Sequence, residues 1–551
     1  MSSSKRPTGS RRPTERAPAR PAGERAGGRG FDVWVEDSMT RVFPRARPKT
    51  GGAGRSVRLT LAGGEYQSFQ IVIRPRAGHE LRNVRVRVGG LSGGTEIVAR
   101  NIEWHQVGYV RVDNLDYRPI EGNASLAAAA GADLPGWWPD PLLPVPRFDV
   151  AAEFAQPIWV TVWAPPGTAP GECSGAVEIA PENDRPVTIP LRAKVHGFAL
   201  PRGAGNFQTA FALFDDQLRR VYGRLDESMR LEWGDFVLRH RVNPGSIYRS
   251  EPPPVSDLEH FLRGGMNAFN VIYNRKGQQA DNAGDGSPQA VEKIAPFLEA
   301  LRASGDGERL FDMAHYYGFD ELTLDRLHHL RDEFRTVRER FGLPTFTTSH
   351  VPQEPATLRK LNVDWLCPIT NWLNAEKVAR CRRAGFKIWT YVSLEPDPPY
   401  ANFRIDCPLI EPRVLMWQAY RQQVDGFLYW GFNAWRNEPN DRPVDPGSGP
   451  FLDWSVTSKW ESRGRQMSWL HGDGVLLYPG VDGPIGSIRL ANLRDGLQDY
   501  EYLHLLKERT GRPAEAIDAC KPVTTGWTEY TREPGVLAAQ RRRIAGRIAR
   551  S

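Results

Sequence analysis

Apolar and polar residues alternate along several short segments between residues 31 and 200. The segment SVRLTLAGGEYQSFQIVIRP (56–75) contains two such runs joined by Gly-Gly. Alternation with a period of two is typical of strands that bury one face, and the Gly, Pro and Asn residues between them mark turns. We therefore predict a β-sandwich domain over 31–200. A Pro- and Ala-rich stretch, 115–150, interrupts the pattern and is predicted to be a long loop that contains Trp137 and Trp138.

From residue 207 onward, short apolar runs alternate with longer segments of helical period. Strands that alternate with helices predict a parallel sheet, and eight of them predict a (β/α)8 barrel of the TIM type. The eight apolar runs are 207–213, 241–248, 267–274, 311–319, 344–350, 363–370, 386–393 and 426–435. We assign the barrel to 201–485 and a C-terminal helical extension to 486–551. The predicted fold class is thus multidomain, with a β-sandwich followed by an α/β barrel and a helical segment.

Most of the formal net charge of +7 comes from residues 1–30, which carry eight Lys or Arg and two Glu and hence +6. This tail is rich in Pro, Gly and Ser and is predicted to be disordered. The rest of the chain is close to neutral, so we expect no nucleic-acid partner. A basic arm that touches a polyanion is the alternative interpretation of the tail.

The sequence lacks the patterns of a membrane, metal-binding or secreted protein. No run of about 20 apolar residues predicts a membrane span, and no apolar segment follows the basic residues as in a signal peptide. The five Cys residues have neither zinc-binding nor disulfide spacing. We therefore expect a cytoplasmic protein with no membrane partner, metal or other cofactor, and export is the alternative. The sequence does not indicate an oligomeric state.

An acidic pair, Asp320-Glu321, directly follows the fourth apolar run in the stretch FDMAHYYGFDEL (311–322). In a barrel of this type, reactive groups lie at the carboxyl ends of the strands. Two other Asp-Glu pairs, at 226–227 and 332–333, lie in charged helical segments and are expected to face solvent. The pair after the fourth run is therefore the candidate catalytic pair. The alternative interpretation is a helix N-terminus, with Asp320 as its cap and Glu321 in its first turn.

Polar and aromatic residues near the ends of the later runs are candidate sugar-binding residues, because sugar rings stack on aromatic faces and form hydrogen bonds through their hydroxyls. These candidates are Tyr391, Trp430, Asn433, Trp435, His350, Asn371, Trp372 and Glu395. Asn433 lies in an apolar strand end, where an unpaired amide costs about 1–3 kcal/mol, so we expect it to have a partner in the site. For the others, packing in the core or exposure to solvent is the alternative.

Two acids and several aromatic residues at a barrel rim favour cleavage of a glycosidic bond. That reaction needs an acid for the leaving oxygen and a group that stabilises the cation-like sugar carbon. In one layout Glu321 is the acid, and Asp320 holds the substrate's 2-acetamido group while the acetamido oxygen attacks the anomeric carbon. In the other, Glu321 is the acid and Glu395 is an enzymic nucleophile, which requires carboxyl groups roughly 5–5.5 Å apart. A non-catalytic carbohydrate-binding protein is a third hypothesis.

Over about residues 31–510, the chain resembles domain-of-unknown-function family 4091 and the related glycoside hydrolase family 123. The resemblance rests on GFDEL, PPYANFRIDCPLIEPRVLMWQAYRQQVDGFLYWGFNAW, GDGVLLYPG and SIRLANLRDGLQDYEYL, and in the β-rich region on GGEYQSFQIVI and QPIWVTVWAPPGTAPGECSG. It implies a β-N-acetylgalactosaminidase that uses the substrate's acetamido group, with Asp320 and Glu321 as the acid pair. The family commonly has Pro after this pair, where the chain has Leu322.

Overall fold

The computed structural model describes residues 29–48, 56–112, 136–274, 291–435, 442–462 and 465–551. Residues 1–28 of the predicted tail and 115–135 of the predicted loop lie outside this part of the chain. Within it, no helix combines the length and the apolar character that crossing a membrane requires.

The N-terminal part of the chain is built from strands. In chain order they are β1 (Phe31–Asp37), β2 (Val57–Gly63), β3 (Glu65–Pro75), β4 (Leu81–Val88), β5 (Ser92–Gly93), β6 (Ile102–Val112), β7 (Gly136–Leu143), β8 (Phe148–Val150), β9 (Gln156–Ala164), β10 (Gly171–Ala180) and β11 (Val187–Ala199). One sheet has the order β1-β3-β9-β6 and carries β7 on β6, and the other has the order β2-β11-β10-β4-β8 and carries β5 on β10. Trp137 and Trp138 thus lie in a strand, where the pattern predicts a loop.

Side chains from both sheets meet in one hydrophobic core. Residues of β11 alternate between buried and exposed, and Ile189, Leu191 and Val195 are almost inaccessible to solvent. They belong to the same cluster as Ile71 and Ile158 of the other sheet. Burial of each such side chain stabilises the fold by about 1.5–3 kcal/mol. The period of two in the sequence is therefore also the energetic basis of the sandwich.

Parallel strands form the next large sheet. They are β12 (Gln208–Phe211), β13 (Phe269–Asn274), β14 (Ala314–Gly318), β15 (Thr345–Thr347), β16 (Trp365–Leu366), β17 (Lys387–Val392) and β18 (Gly426–Tyr429). Their order, β12-β18-β17-β16-β15-β14-β13, closes almost completely into a barrel and leaves a gap between β12 and β13. Each of these strands falls inside one of the apolar runs.

Residues 241–248 fill the gap without forming a ladder, although the pattern predicts a strand there. Pro244 has no N–H to donate, and Gly245 follows it with a φ of +127°. Individual hydrogen bonds replace the ladder: the Leu213 N–H donates to the Gly245 carbonyl (2.9 Å), and the Asn270 amide donates to another carbonyl of the segment (2.8 Å). The described chain therefore has a seven-stranded barrel in place of the predicted eight strands.

Helices flank the barrel and form the C-terminal region. They are α1 (Asp215–Tyr222), α2 (Glu227–Arg239), α3 (Val255–Gly264), α4 (Ile294–Arg302), α5 (Gly307–Met313), α6 (His328–Phe341), α7 (Pro355–Leu361), α8 (Ala375–Arg383), α9 (Glu411–Arg421), α10 (Ile488–Thr510), α11 (Pro513–Ala519) and α12 (Pro534–Ile548). The long helix α10 is capped by the Ser487 hydroxyl and ends at Gly511, whose φ of +63° favours glycine.

Short strands connect the barrel to α10. They are β19 (Phe451–Ser455), β20 (Thr457–Ser462), β21 (Arg465–His471), β22 (Tyr478–Gly480) and β23 (Gly483–Ile485). The strand β19 lies within the range predicted for the barrel, yet it pairs with β6 and extends the first sheet of the sandwich. The sandwich and the barrel are therefore interleaved along the chain.

Arg489, in the first turn of α10, connects the sandwich to the barrel. Its guanidinium donates to both carboxylate oxygens of Asp140 in β7 (2.9 and 2.7 Å). Its other hydrogen bonds go to the carbonyl oxygens of Phe403 (2.7 Å), Gly472 (2.9 Å) and Val475 (2.6 Å). Both charged side chains are completely buried. The ion pair thus has the dense hydrogen bonding that a buried pair needs to offset its desolvation.

We expect the Arg489→Met variant to lose about 3–5 kcal/mol of unfolding free energy, because it removes the guanidinium that is hydrogen-bonded to both oxygens of the buried Asp140 carboxylate. Urea unfolding followed by tryptophan fluorescence measures this loss. The matched control is Arg442→Ala, because Arg442 pairs with Asp453 at 3.3 Å on the surface. Loss of that exposed pair should cost less than about 1 kcal/mol. Equal effects of the two substitutions would contradict the central role of Arg489.

Candidate active site

A cavity of about 1220 Å³ runs along the gap in the barrel and reaches the carboxyl ends of the strands. This volume exceeds the roughly 300–1,000 Å³ of common small-molecule pockets. Its lining residues that follow or end β14, β15, β17 and β18 include Asp320, Glu321, Thr348, Tyr391 and Trp430. The structure thus brings together both acids and two of the eight candidate sugar-binding residues.

The acid pair lies in a tight turn directly after β14. Phe319 and Glu321 both have left-handed backbone, with φ values of +64° and +52°. Such a conformation costs a residue other than glycine on the order of 1–3 kcal/mol. The next α-helix, α6, begins only at His328, so the alternative of a helix N-terminus with Asp320 as cap does not hold. Instead, the turn places both carboxyl groups on the wall of the cavity.

A run of hydroxyl residues at the end of β15, Thr347, Thr348 and Ser349, stabilises this turn. The hydroxyls of Thr347 and Ser349 donate to the Phe319 carbonyl (2.6 and 2.7 Å). The Leu322 N–H donates to the Ser349 hydroxyl (3.2 Å). A proline at position 322 has no N–H, so the leucine found here adds a hydrogen bond to the turn.

Asp320 is held by two hydroxyl donors. The Tyr317 hydroxyl (2.8 Å) and the Thr348 hydroxyl (2.6 Å) both donate to its Oδ1 atom. Its Oδ2 atom has no hydrogen-bond partner in the described part of the chain. Burial raises the pKa of Asp320, whereas the two hydrogen bonds favour its ionised form. The Oδ2 atom is thus available to accept a hydrogen bond from a ligand.

Glu321 has a different environment from its neighbour. The Tyr391 hydroxyl donates to its Oε1 atom (2.6 Å). Burial raises the pKa of Glu321, and the charge of Asp320 raises it further, while the hydrogen bond from Tyr391 acts in the opposite direction. A carboxyl group with a raised pKa keeps its proton closer to neutral pH, which suits a proton donor.

Aromatic rings line one side of the cavity. Trp430, Phe214, Tyr248 and Tyr273 follow one another with ring centroids 6.3, 6.0 and 5.1 Å apart. The Trp430 indole N–H donates to Asp473 (2.8 Å), a buried residue whose pKa burial raises to about 6. These rings offer flat apolar faces beside the two carboxyl groups.

Two of the predicted binding residues lie behind this wall. Asn433 has a hydrogen-bond partner, as expected, but the partner is backbone: its Oδ1 atom accepts from the Phe214 N–H (2.7 Å) and its Nδ2 atom donates to the Phe214 carbonyl (3.1 Å). Trp435 is fully buried, and its indole N–H donates to the Leu477 carbonyl (2.8 Å). Neither side chain lines the cavity.

The other four predicted binding residues lie on the rim, outside the cavity lining. His350 and Trp372 are in contact, with ring centroids 4.0 Å apart and planes nearly perpendicular. Asn371 and Glu395 are exposed to solvent. The structure therefore separates the predicted binding residues into a cavity group, a buried group and a rim group.

Several residues of the site escaped the sequence analysis. They are Tyr317, Thr348, Asp473, Phe214, Tyr248 and Tyr273. Three consecutive hydroxyl residues at the end of an apolar run, TTS at 347–349, were a detectable signal, because buried hydroxyls need partners. Tyr248 had no comparable signal, since its position depends on the irregular segment in the barrel gap.

Among the described residues, no group of three or more His, Cys, Asp and Glu side chains has a spacing that could hold a metal ion. The five cysteines are buried free thiols.

Two family models match the chain. The catalytic domain of glycoside hydrolase family 123 matches residues 264–506, and the N-terminal domain of the same family matches residues 38–181. Together these matches span well over half of the chain. The chain belongs to glycoside hydrolase family 123. As a family 123 member it is a glycoside hydrolase, and its substrate is a glycan.

One solved structure agrees with this assignment at the level of the fold. A family 123 enzyme from Clostridium perfringens, described in terms of glycolipid glycan hydrolysis, matches 94% of this chain and 99% of its own with a TM-score of 0.66 and 13% identity. A GH5 xyloglucanase from Bacteroides ovatus matches over 85% of this chain and 100% of its own, but at 9% identity its TM-score of 0.26 is too low to indicate a shared fold. No curated protein matches the chain.

Proposed function

We propose that this family 123 member hydrolyses terminal β-linked N-acetylgalactosaminides, or glycosides of a close 2-acetamido sugar, with retention of configuration. The substrate's own acetamido oxygen is the nucleophile. The observation that carries the proposal is the unequal environment of two adjacent carboxyl groups in one cavity. Asp320 accepts two hydroxyl hydrogen bonds and keeps one oxygen open, whereas burial and the charge of Asp320 raise the pKa of Glu321.

In the first step, Glu321 acts as the general acid. Its proton passes to the glycosidic oxygen, the bond from that oxygen to the anomeric carbon breaks, and the leaving group departs as an alcohol. The acetamido oxygen attacks the anomeric carbon at the same time and closes an oxazolinium ring. The Oδ2 atom of Asp320 accepts the amide N–H and offsets the positive charge that develops on the ring.

In the second step, the carboxylate of Glu321 acts as the general base. It removes a proton from a water molecule whose oxygen attacks the anomeric carbon. The bond from that carbon to the acetamido oxygen breaks, which restores the amide and gives the sugar with its original configuration. Glu321 is protonated again at the end of the cycle, as microscopic reversibility requires.

Tyr391 and the aromatic wall position the acetamido group in this proposal. The Tyr391 hydroxyl donates to Glu321 without substrate and donates to the acetamido oxygen when substrate is bound. The faces of Trp430 and Tyr273 pack against the acetamido methyl group and the sugar ring. Asn433 acts indirectly, because its amide fixes the backbone of Phe214 in that wall.

The two-carboxylate mechanism, with Glu395 as nucleophile, has less structural support. Glu395 is exposed and lies outside the cavity lining, whereas a nucleophile must reach the anomeric carbon of a ring inside the cavity. A non-catalytic binding protein has no need for the strained turn and hydroxyl support that hold Asp320 and Glu321. Both hypotheses remain as outcomes of the test below.

A screen of 4-nitrophenyl β-glycosides that varies the 2-substituent and the C4 configuration tests the proposal. We expect the 2-acetamido glycosides to release nitrophenol, with the galacto configuration preferred. The corresponding 2-hydroxy glycosides should react slower by about 10⁴-fold, because they lack both the internal nucleophile and the N–H that Asp320 binds. Absorbance of nitrophenolate measures each initial rate.

Two results of this screen would contradict the proposal. Comparable rates for 2-acetamido and 2-hydroxy sugars favour an enzymic nucleophile, and binding of the sugars without release of nitrophenol favours the non-catalytic hypothesis. A thiazoline analogue of the oxazolinium ion serves as an independent probe. Competitive inhibition by this analogue supports the acetamide mechanism, since the two-carboxylate mechanism forms no such ring.

A further inference from the structure

The indole of Trp430, in the aromatic wall of the cavity, is held by a short turn from another part of the chain. This turn, residues 472–474, lies between β21 and β22. The Trp430 indole N–H donates to the Oδ2 atom of Asp473 (2.8 Å). Gly474 lies so close to the indole that a Cβ atom there would be 2.4 Å from a ring carbon. The 472–474 turn therefore contacts both the N–H and the six-membered ring of Trp430.

Backbone hydrogen bonds fix the 472–474 turn against the chain that follows β18. The Ala434 N–H donates to the Gly474 carbonyl (3.0 Å), and Val475 forms a β-bridge with Asn433. The Gly474 N–H donates to the hydroxyl oxygen of Tyr429, the last residue of β18 (2.7 Å). A wall residue that is held in place before binding loses little entropy when a ligand packs on it.

Asp473 accepts hydrogen bonds from two consecutive residues at the end of β18. Its Oδ1 atom accepts from the Tyr429 hydroxyl (2.8 Å), and its Oδ2 atom accepts from the Trp430 indole N–H (2.8 Å). Both donors need an acceptor, and a carboxylate offers one on each oxygen. An asparagine has a single acceptor oxygen and would turn N–H groups towards the other donor. The chemistry of position 473 therefore requires an acid.

The carboxylate of Asp473 is unusual because it is buried without an ion-pair partner. Its side chain is almost inaccessible to solvent, and within the described ranges it is hydrogen-bonded to these two donors and not to a Lys or Arg side chain. Burial raises the pKa of Asp473, whereas the hydrogen bonds from Tyr429 and Trp430 favour its ionised form. A buried charge of this kind destabilises the fold. The chain retains it where it fixes a residue of the cavity wall.

We propose that Asp473 is a positioning residue of the active site, which holds the indole of Trp430 in the orientation that packs against the 2-acetamido sugar. This inference rests on the function proposed above, because it takes Trp430 as a wall of the sugar site. Asp473 does not itself line the cavity and acts through Trp430. Without the carboxylate, the indole turns towards another acceptor and the sugar binds more weakly, while Asp320 and Glu321 stay in place.

The test measures KM and kcat for 4-nitrophenyl N-acetyl-β-galactosaminide in Asp473→Asn, Trp430→Phe and the double variant. We expect Asp473→Asn to lower kcat/KM about ten-fold, mainly through KM, because the lost contact serves binding more than chemistry. Trp430→Phe should have a similar effect, since it removes the N–H that Asp473 holds. The double variant should be no worse than Trp430→Phe, because the two residues act as one unit.

Tyr429→Phe is the matched control. It removes the other donor to the same carboxylate and keeps the hydrogen bond from Trp430. Both Tyr429→Phe and Asp473→Asn should unfold at lower temperature than the wild type, whereas only Asp473→Asn should raise KM. Equal KM values for these two variants would mean that Asp473 serves the fold alone and would overturn the inference. Losses that multiply to about a hundred-fold in the double variant would overturn it as well.

Gly474→Ala is a second test that leaves the carboxylate in place, and it applies even where Asp473→Asn does not fold. The added methyl group overlaps the indole and displaces it. We expect a rise in KM of about ten-fold, as for Asp473→Asn. A wild-type KM in Gly474→Ala would show that the 472–474 turn does not position Trp430.

Calorimetric titration with N-acetylgalactosamine separates this inference from the proposed function. A wild type that binds the sugar and never releases nitrophenol contradicts the proposed hydrolysis. The Kd for the sugar then replaces KM in the same comparison of variants, with the same expected ten-fold change. A wild type that neither binds nor hydrolyses the sugar overturns both the function and the role of Asp473.

Discussion

The Glu321→Gln variant is expected to lose about 10²- to 10⁴-fold in kcat on disaccharides and on aryl glycosides with poor leaving groups. Glutamine keeps the shape of the side chain and can still accept the hydrogen bond from Tyr391. It has no proton to give to the leaving oxygen. The loss should be much smaller for 2,4-dinitrophenyl glycosides, whose leaving group departs without protonation. Steady-state rates on a series of aryl leaving groups measure the difference.

Glu395→Gln is the matched control for this variant. Glu395 is the neighbouring rim acid whose charge also raises the pKa of Glu321, yet its side chain is exposed and lies outside the cavity lining. We expect it to retain nearly full activity. If Glu395→Gln instead abolishes turnover and Glu321→Gln does not, the roles assigned here are wrong. Azide should rescue Glu321→Ala and give a glycosyl azide of retained configuration.

The raised pKa of Glu321 also sets the pH dependence. The first step needs the protonated acid, so kcat/KM falls as the pH rises through the pKa of Glu321. Because this pKa is raised, the fall in kcat/KM, which is the alkaline limb of the pH profile, lies closer to neutral pH. The Tyr391 hydrogen bond favours the ionised form of Glu321. Removing it in Tyr391→Phe therefore raises the pKa further, and the alkaline limb should move to higher pH. An alkaline limb at the same pH in Tyr391→Phe as in the wild type would exclude Glu321 as the titrating group.

The Asp320→Asn variant is expected to lose about 10²- to 10³-fold in kcat on 2-acetamido glycosides, as when one preorganised electrostatic contact is removed from an active site. Asparagine cannot offset the positive charge of the oxazolinium ion. Its amide can also turn an N–H towards the substrate N–H. Rates on a series of N-acetyl, N-fluoroacetyl and N-difluoroacetyl glycosides measure the participation of the acetamide. Fluorination weakens that nucleophile, so the wild-type rate should fall steeply along the series.

Tyr317→Phe separates the charge of Asp320 from its position. This variant keeps the carboxylate and removes one of its two hydroxyl donors. Because that hydrogen bond favours the ionised form, its loss raises the pKa of Asp320. As the pH is lowered, the variant should therefore lose activity at a higher pH than the wild type does, with little loss at neutral pH. An unchanged acid limb, or an Asp320→Asn variant with wild-type rates, would contradict the role given to Asp320.

The sequence predicted much of this architecture because strands buried on both faces appear as short apolar runs. Seven of the eight runs contain a barrel strand, and the acid pair lies where the fourth run ends. The exception, 241–248, has enough apolar residues for a strand, but Pro244 has no N–H to donate to a ladder and Gly245 has a positive φ that departs from extended backbone. The apolar composition of the segment correctly indicated burial, whereas the backbone conformation of Pro244 and Gly245 prevents it from forming a strand.

The candidate site was less predictable than the barrel. Asp320, Glu321 and Tyr391 share a cavity wall because parallel strands bring their carboxyl ends together. Asn433 and Trp435 come from an equivalent strand end, but their hydrogen bonds to backbone carbonyls and N–H groups place them behind the wall. A strand's position in the barrel follows from the pattern, whereas the direction of each side chain after the strand depends on partners far away in the chain.

The buried contact between Asp140 and Arg489 has a consequence for protein engineering. A recombinant fragment that contains the barrel and lacks the sandwich has no Asp140, so Arg489 loses its ion-pair partner. The loop that holds Asp473 beneath Trp430 is anchored by the same guanidinium and is weakened with it. Domain exchange among family 123 members should therefore require an incoming sandwich that supplies an acid at this position.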